Sequence, residues 1–206
     1  MAPRTDPAFA PNPHSLRGLA QDLALCRRCP LYANATQVVP GEGSRAPLML
    51  VGEQPGNDED LAGRPFVGPA GKLLNQALAE AGIARDKTFV TNAVKHFKFI
   101  PRGKRRLHQR PSAEELALCR WWLELETKLV APVLIVALGA SAARSVFGRP
   151  VTVGKVRGQI LEAGGTKAMA TIHPSFLLRM PDPDARRREY AALVKDLVTA
   201  RVHLPA

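Results

Sequence analysis

Four short stretches of this chain put acids, amides, imidazoles and small residues in patterns that could do chemistry. Gly52-Glu53-Gln54-Pro55-Gly56 sets a carboxylate and an amide in a tight turn directly after the apolar run Leu48-Met49-Leu50-Val51. That run is short and apolar enough for a buried parallel strand, and ligands of open α/β sheets bind at the carboxyl ends of such strands. The turn glycines let the backbone approach a flat ligand closely, while Pro55 fixes its course. The next loop, Gly63 to Gly71, offers one aromatic, Phe66, among small residues. Thr91-Asn92-Ala93-Val94-Lys95 puts an amide at the end of a second, β-branched run, and His173-Pro174-Ser175 puts an imidazole and a hydroxyl after a fourth. A basic stretch, Arg102 to Arg110, carries Lys104, Arg105, Arg106 and His108. A carboxylate, an amide and an aromatic converging on strand ends suit a site for a planar ligand.

Two of the three cysteines form Cys26-Arg27-Arg28-Cys29, and the third is Cys119. No apolar h-region precedes them; Met1 to Ser15 holds four prolines instead. The expectation is therefore a cytoplasmic (bacterial) protein in which disulfides are disfavoured and metal or cluster binding gains. A thioredoxin-type redox pair would want a preceding strand, and none is legible.

The elements that must position these residues follow from periodicity. Ser15 to Ala24 reads as a helix; after the first strand, Leu73, Leu74, Ala77, Leu78 and Ala81 share one helix face. Thr88 to Val94 reads as a strand, and Ser112 with Glu115 forms a capping box opening a helix to about Leu129. Val133 to Leu138 is a third buried strand, followed by a helix from Ser141 to Phe147. Val151 to Leu161 reads as an irregular hairpin and Met169 to Ile172 as a fourth strand. A last helix begins at Asp184, with Tyr190, Leu193, Val194 and Leu197 facing inward. Strands alternating with helices predict a three-layer α/β/α sandwich on a four-stranded parallel sheet. Residues 1–14 are expected to be a flexible lead-in and 15–206 one domain. The chain has 206 residues, a net charge of +11 and a pI near 10.2, which suits a polyanionic partner. No apolar run approaches membrane-spanning length.

Taken in order, the Gly-Glu-Gln-Pro-Gly, Asn-Ala-Val-Lys, Gly103-Lys104-Arg105-Arg106-Leu107-His108 and His-Pro-Ser motifs resemble the uracil-DNA glycosylase superfamily. The match lies in its iron-sulfur branch related to family 4, and the Lys-Arg-Arg-Leu-His stretch is similar to the inserted loop of the UdgX subgroup. The resemblance spans nearly the whole chain from Cys26. It implies a [4Fe–4S] cluster on Cys26, Cys29, His96 and Cys119, with His96 standing where family-4 enzymes carry a fourth cysteine. It implies a base pocket in which Phe66 stacks on the ring and Asn92 distinguishes uracil from cytosine. Gln54 presents backbone groups to the ring, with Gly52 and Ser175 beside it, and His173 stabilises charge on the departing base. Glu53 stabilises the sugar cation or orients a nucleophile. Asp58, Glu59 and Asp60 are read as a solvated loop or helix N-terminus. Lys104, Arg105, Arg106 and Arg179 are the expected DNA contacts. In the UdgX subgroup the histidine equivalent to His108 attacks the sugar and stays bonded to the DNA; here Arg105 and Arg106 are expected to disfavour its protonation.

Three readings follow. The first is a monomeric enzyme that excises uracil from single-stranded and possibly duplex DNA and captures its own product through His108. The second is a turning-over family-4-like glycosylase using water near Glu53. The third is a non-catalytic uracil-DNA binding module, against which Glu53, Asn92 and His173 argue together.

Overall fold

A computed structural model describes residues 13–205; residues 1–12 of the expected lead-in lie outside the described residues. The chain forms helix α1 (Leu16–Ala24), strand β1 (Leu48–Gly52), helices α2 (Asn57–Ala62) and α3 (Pro69–Glu80), and strand β2 (Thr88–Asn92). A hairpin of β3 (Phe99–Arg102) and β4 (Arg105–His108) leads to α4 (Ala113–Val130), β5 (Leu134–Leu138), α5 (Ala140–Phe147) and α6 (Val153–Val156). Strands β6 (Ile160–Ala163) and β7 (Thr166–Thr171) precede α7 (Pro174–Leu178) and α8 (Pro183–Val202).

The sheet order is β2-β1-β5-β7-β6. The four expected parallel strands are present, and a fifth, β6, joins antiparallel to β7. The short helix α6 and the first two residues of this strand occupy the stretch, Val151 to Leu161, read as an irregular hairpin. Gly164 and Gly165, both at positive φ, let β6 fold straight back on β7.

Alternate residues of β1 face opposite layers, as the two-residue period requires. Met49 and Val51 pack with Leu19, Leu23 and Trp122 from α1 and α4; Leu48 and Leu50 pack with Leu74, Leu78, Leu193 and Leu197 from α3 and α8. Every residue of β1, β2 and β5 is buried, which explains why these strands read as unbroken apolar or β-branched runs. The Ser112 capping box forms as expected: Ser112 Oγ accepts from Glu115 N–H, and Glu115 Oε2 accepts from Ser112 N–H. Among the described residues no helix is long and apolar enough to cross a membrane.

The basic stretch is not a loose loop. It is a two-stranded hairpin in register Phe99↔His108 and Arg102↔Arg105, turned by Gly103 at φ 58 and Lys104. Its base is held to the main sheet by Gln54, whose Nε2 donates to Lys98 O (3.2 Å) and Gln109 O (3.0 Å) and whose Oε1 accepts from Lys98 N–H (3.2 Å).

Candidate active site

The carboxyl ends of β1, β2, β5 and β7 open into two adjoining spaces. One is a cavity of about 200 Å³ bounded by Phe66, Asn92, His173 and Ser175. The other is a wider cleft of about 550 Å³ reached by Glu53, Arg110, Gly139 and Phe176; His108, His173 and Arg179 border both.

The cavity is built by close approach. A Cβ on Gly52 would lie 2.3 Å from Asn92 Oδ1 and 2.6 Å from the Phe66 ring, so only glycine lets that ring and amide meet across the strand end. Phe66 takes a left-handed φ of 57, rare for an aromatic residue, and its carbonyl presses on Gly71, where a Cβ would come within 1.7 Å. Glu59 holds the loop there: Oε1 accepts from Gly68 N–H (2.9 Å) and Oε2 from Gly56 N–H (3.0 Å). Glu59 and Asp60 are therefore buried, not solvated, because turns around them leave backbone and guanidinium donors that only a carboxylate satisfies. The Phe66 and His173 rings stack at 5.9 Å with 29° between planes. Asn92 is buried at the cavity wall, and among the described residues nothing hydrogen-bonds its side-chain amide.

His173 has a fixed tautomer. Its Nδ1 accepts from Ser175 N–H (3.1 Å) and lies 2.8 Å from Ser175 Oγ, which itself accepts from Arg179 Nη1 (3.2 Å). Nδ1 thus carries no proton and Nε2 keeps one as a donor. Burial, with the Arg179 and His108 charges, pushes the His173 pKa down to about 4.

Glu53 has its carboxylate divided between two tasks. Oε2 accepts from Ser141 Oγ at 2.5 Å and stands 3.8 Å from Arg110 Nε, while Oε1 faces His108 Nε2 at 3.5 Å. Arg110 Nε also donates to Ser141 Oγ at 3.2 Å. The His108 pKa is lowered, chiefly by burial; Glu53 opposes this and Arg179 adds to it. The expectation that Arg105 and Arg106 keep this imidazole neutral is corrected, because Arg106 turns away from it. Its Nη1 pairs with buried Asp60 at 2.6 Å, Nε donates to Asn57 Oδ1 at 2.9 Å, and its guanidinium lies over Phe97 and Phe99. Lys104 and Arg105 are exposed at the hairpin tip.

The structure thus brings Gly52, Glu53, Gln54, Phe66, Asn92, His108, His173, Ser175 and Arg179 to one place. Sequence reasoning missed Ser141, Arg110 as a Glu53 neighbour, and Glu59. The helix-start signal after Leu138-Gly139 is the one cue that marks Ser141 as lying at a strand end.

The cysteines lie in the layer of α1 and α4, packed with Leu19, Leu23 and Trp122. All three are free and buried. They sense one another: Cys29 is raised by burial and in part by Cys26, and Cys119 is pushed up to about 12 by burial, with Cys29 and Cys26 adding. Trp122 Nε1–H donates to Cys26 Sγ at 3.1 Å. His96 is buried too, its pKa pushed down to about 4 by burial and Arg27. Among the described residues no three His, Cys, Asp or Glu side chains stand as a finished ligand array. In kind, however, the donors fit a thiolate-held cluster: soft sulfurs, a neutral imidazole and an N–H donor to sulfur.

A doubly wound α/β sandwich carries a carboxylate, an amide and a donor imidazole at or just past the ends of β1, β2 and β7, around one cavity and its cleft. Residues 40–198 match the uracil DNA glycosylase superfamily, and the chain belongs to it. It is 43% identical over 165 residues to a type-4 uracil-DNA glycosylase of Thermotoga maritima, covering 79% of this chain and 82% of the relative. With the type-4 enzyme of Archaeoglobus fulgidus it shares 35% over 192 residues, 89% of this chain and 92% of the relative. A type-5 uracil-DNA glycosylase of Pyrobaculum aerophilum is 28% identical over 202 residues, 80% and 86% of the two chains.

Proposed function

We propose that this protein excises uracil from DNA by breaking the N-glycosidic bond. The observation that carries the proposal is the buried Asn92 amide, which has no hydrogen-bond partner among the described residues and faces a cavity walled by Phe66. A flipped uracil lies against Phe66, and Asn92 meets its edge with one donor and one acceptor. As the C1′–N1 bond breaks, its electron pair leaves with the base, and His173 Nε2–H donates to the oxygen where that charge gathers. Glu53 faces the sugar cation, held for this by Ser141. Water adds to C1′ and gives its proton to Glu53 or the departing base. The names of the type-4 relatives support this hydrolytic course.

A second reading is favoured by one contact, His108 Nε2 standing 3.5 Å from Glu53 Oε1 on a hairpin fixed by Gln54. In it an unprotonated ring nitrogen of His108 bonds to C1′ in place of water, the other nitrogen releases its proton, and the enzyme stops after one turnover in the manner of the UdgX subgroup. Uracil-containing oligonucleotide, followed by denaturing electrophoresis and assay of free uracil, tests both readings. Repeated uracil release without a boiling-resistant species supports hydrolysis. One DNA per protein, lost in His108→Ser, supports capture. The absence of both free uracil and the boiling-resistant species refutes uracil excision.

The proposal includes a structural [4Fe–4S] cluster on Cys26, Cys29, Cys119 and His96, displacing the thiol protons that burial otherwise retains. Such a cluster supplies cross-linking of α1, β2 and α4. Iron and sulfide analysis of the purified protein checks it.

A further inference from the structure

Asn92 can select a base only if the end of β2 is held still, and β2 is the open edge of the sheet. On its inner side the pairing with β1 continues past the strand: Ala93 N–H donates to Gly52 O (2.9 Å) and Val94 N–H to Glu53 O (3.0 Å). On its outer side Glu42 covers Val90 with bonds in both directions, at 2.8 and 2.9 Å. Outward-pointing backbone groups recur at every second residue, so the next outward carbonyl belongs to Asn92.

The ammonium of Lys95 covers it. Nζ donates to Asn92 O at 2.7 Å, to Thr91 Oγ1 at 2.6 Å and to Glu126 Oε2 at 2.6 Å, which uses all three of its protons. Glu126 comes from α4, and its Oε1 accepts from Gly41 N–H at 3.0 Å. Both side chains of the pair are 0% exposed. A buried ion pair is a poor stabiliser, since desolvating two charges offsets their attraction, and neutral replacements of similar volume are often no less stable. Its bonds are directional, however, and here they fix the one backbone carbonyl left unpaired between two edge contacts, Glu42 on Val90 and Val39 N–H on Lys95 O (2.8 Å).

We propose that Lys95 and Glu126 form a positioning pair that sets the Asn92 backbone, and through it the amide that selects the base. The inference rests on the uracil-excision reading given above. Lys95→Met/Glu126→Gln removes both charges, roughly conserves volume and leaves an oxygen for Gly41 N–H. Glu126→Gln alone leaves Lys95 in place to donate to Asn92 O, at a cost in stability because its buried charge loses its counter-ion.

The experiment measures single-turnover processing of single-stranded oligonucleotides carrying one uracil or one cytosine, with thermal melts of each protein. The variants are the two above, Asn92→Ala, and Asn92→Ala on the neutral-pair background. The neutral pair should melt within a few degrees of wild type, because the desolvation it relieves offsets the Asn92 carbonyl it leaves unpaired, and should bind undamaged DNA equally. Its uracil processing should fall about ten- to a hundred-fold, the discrimination that one good base contact supplies. Asn92→Ala should cost far less on that background than in wild type, and Glu126→Gln should keep most selectivity. Equal uracil processing in the neutral pair and Glu126→Gln, or full additivity with Asn92→Ala, overturns the positioning role alone. A neutral pair that does not fold overturns it too, by making the pair a stability element. Wild-type protein that processes no uracil overturns this inference together with the functional reading beneath it.

Discussion

Replacing Glu59 with alanine removes the clamp between the two loops that form the base cavity. The Gly68 N–H that Oε1 satisfies is buried and would be left without a partner, at about 1–3 kcal/mol. The Gly56 N–H bond to Oε2 is the return arm of a helix cap at α2, worth about 1 kcal/mol. Against these roughly 2–4 kcal/mol stands the left-handed backbone of Phe66, whose strain of about 1–2 kcal/mol relaxes once the clamp is gone. The net loss of stability is at most about 3 kcal/mol, or a melting temperature lower by up to about 12 °C for a chain of this size. Function should fall further than stability does. A Phe66 free to leave its φ of 57 no longer stacks on the base, and base–aromatic stacking is worth about 1–3 kcal/mol, roughly 5- to 150-fold in kcat/KM for uracil-containing DNA. Thermal melts paired with excision kinetics below the transition check both numbers, and Glu59→Gln should lie between. Unchanged kcat/KM in a Glu59→Ala protein that melts earlier would refute the reasoning, since the clamp would then hold a helix and not a pocket.

DNA affinity should fall steeply with salt, and Lys104→Ala/Arg105→Ala should flatten the log–log slope by about 0.7–0.9 per cation removed. Arg106→Ala should leave that slope nearly intact and lower the melting temperature, because its guanidinium is committed to Asp60; equal slope changes in both variants would contradict the placement. For His173 the folded pKa of about 4 lies below the ordinary 6.5. Its neutral form is therefore favoured in the fold, and the stability it confers is full above pH 6.5 and lost as pH falls toward 4. Melts of wild type and His173→Gln should diverge only across that window, and parallel curves would contradict the assignment.

The local residues alone determined a good deal of this. Apolar or β-branched runs of four to seven residues marked β1, β2, β5 and the buried half of β7, because a strand covered on both faces has no solvated side to carry polar residues. Ser112 and Glu115 marked the start of α4, because a cap is made between residues three apart. Glu53, Asn92 and His173 were legible as candidates because each follows such a run, at the end of the sheet where ligands bind. Strand β6 was not legible, since its half-exposed residues show no apolar run. What a polar side chain does once placed was decided by tertiary structure only. Ser141 reaches Glu53 across 88 residues, Arg106 reaches Asp60 across 46, and Lys95 reaches Glu126 across 31. In sequence Arg105 and Arg106 are neighbours of one kind. In the fold one projects from the hairpin tip while the other is drawn beneath it, because a strand sends successive side chains to opposite faces and only one of those faces meets a buried carboxylate.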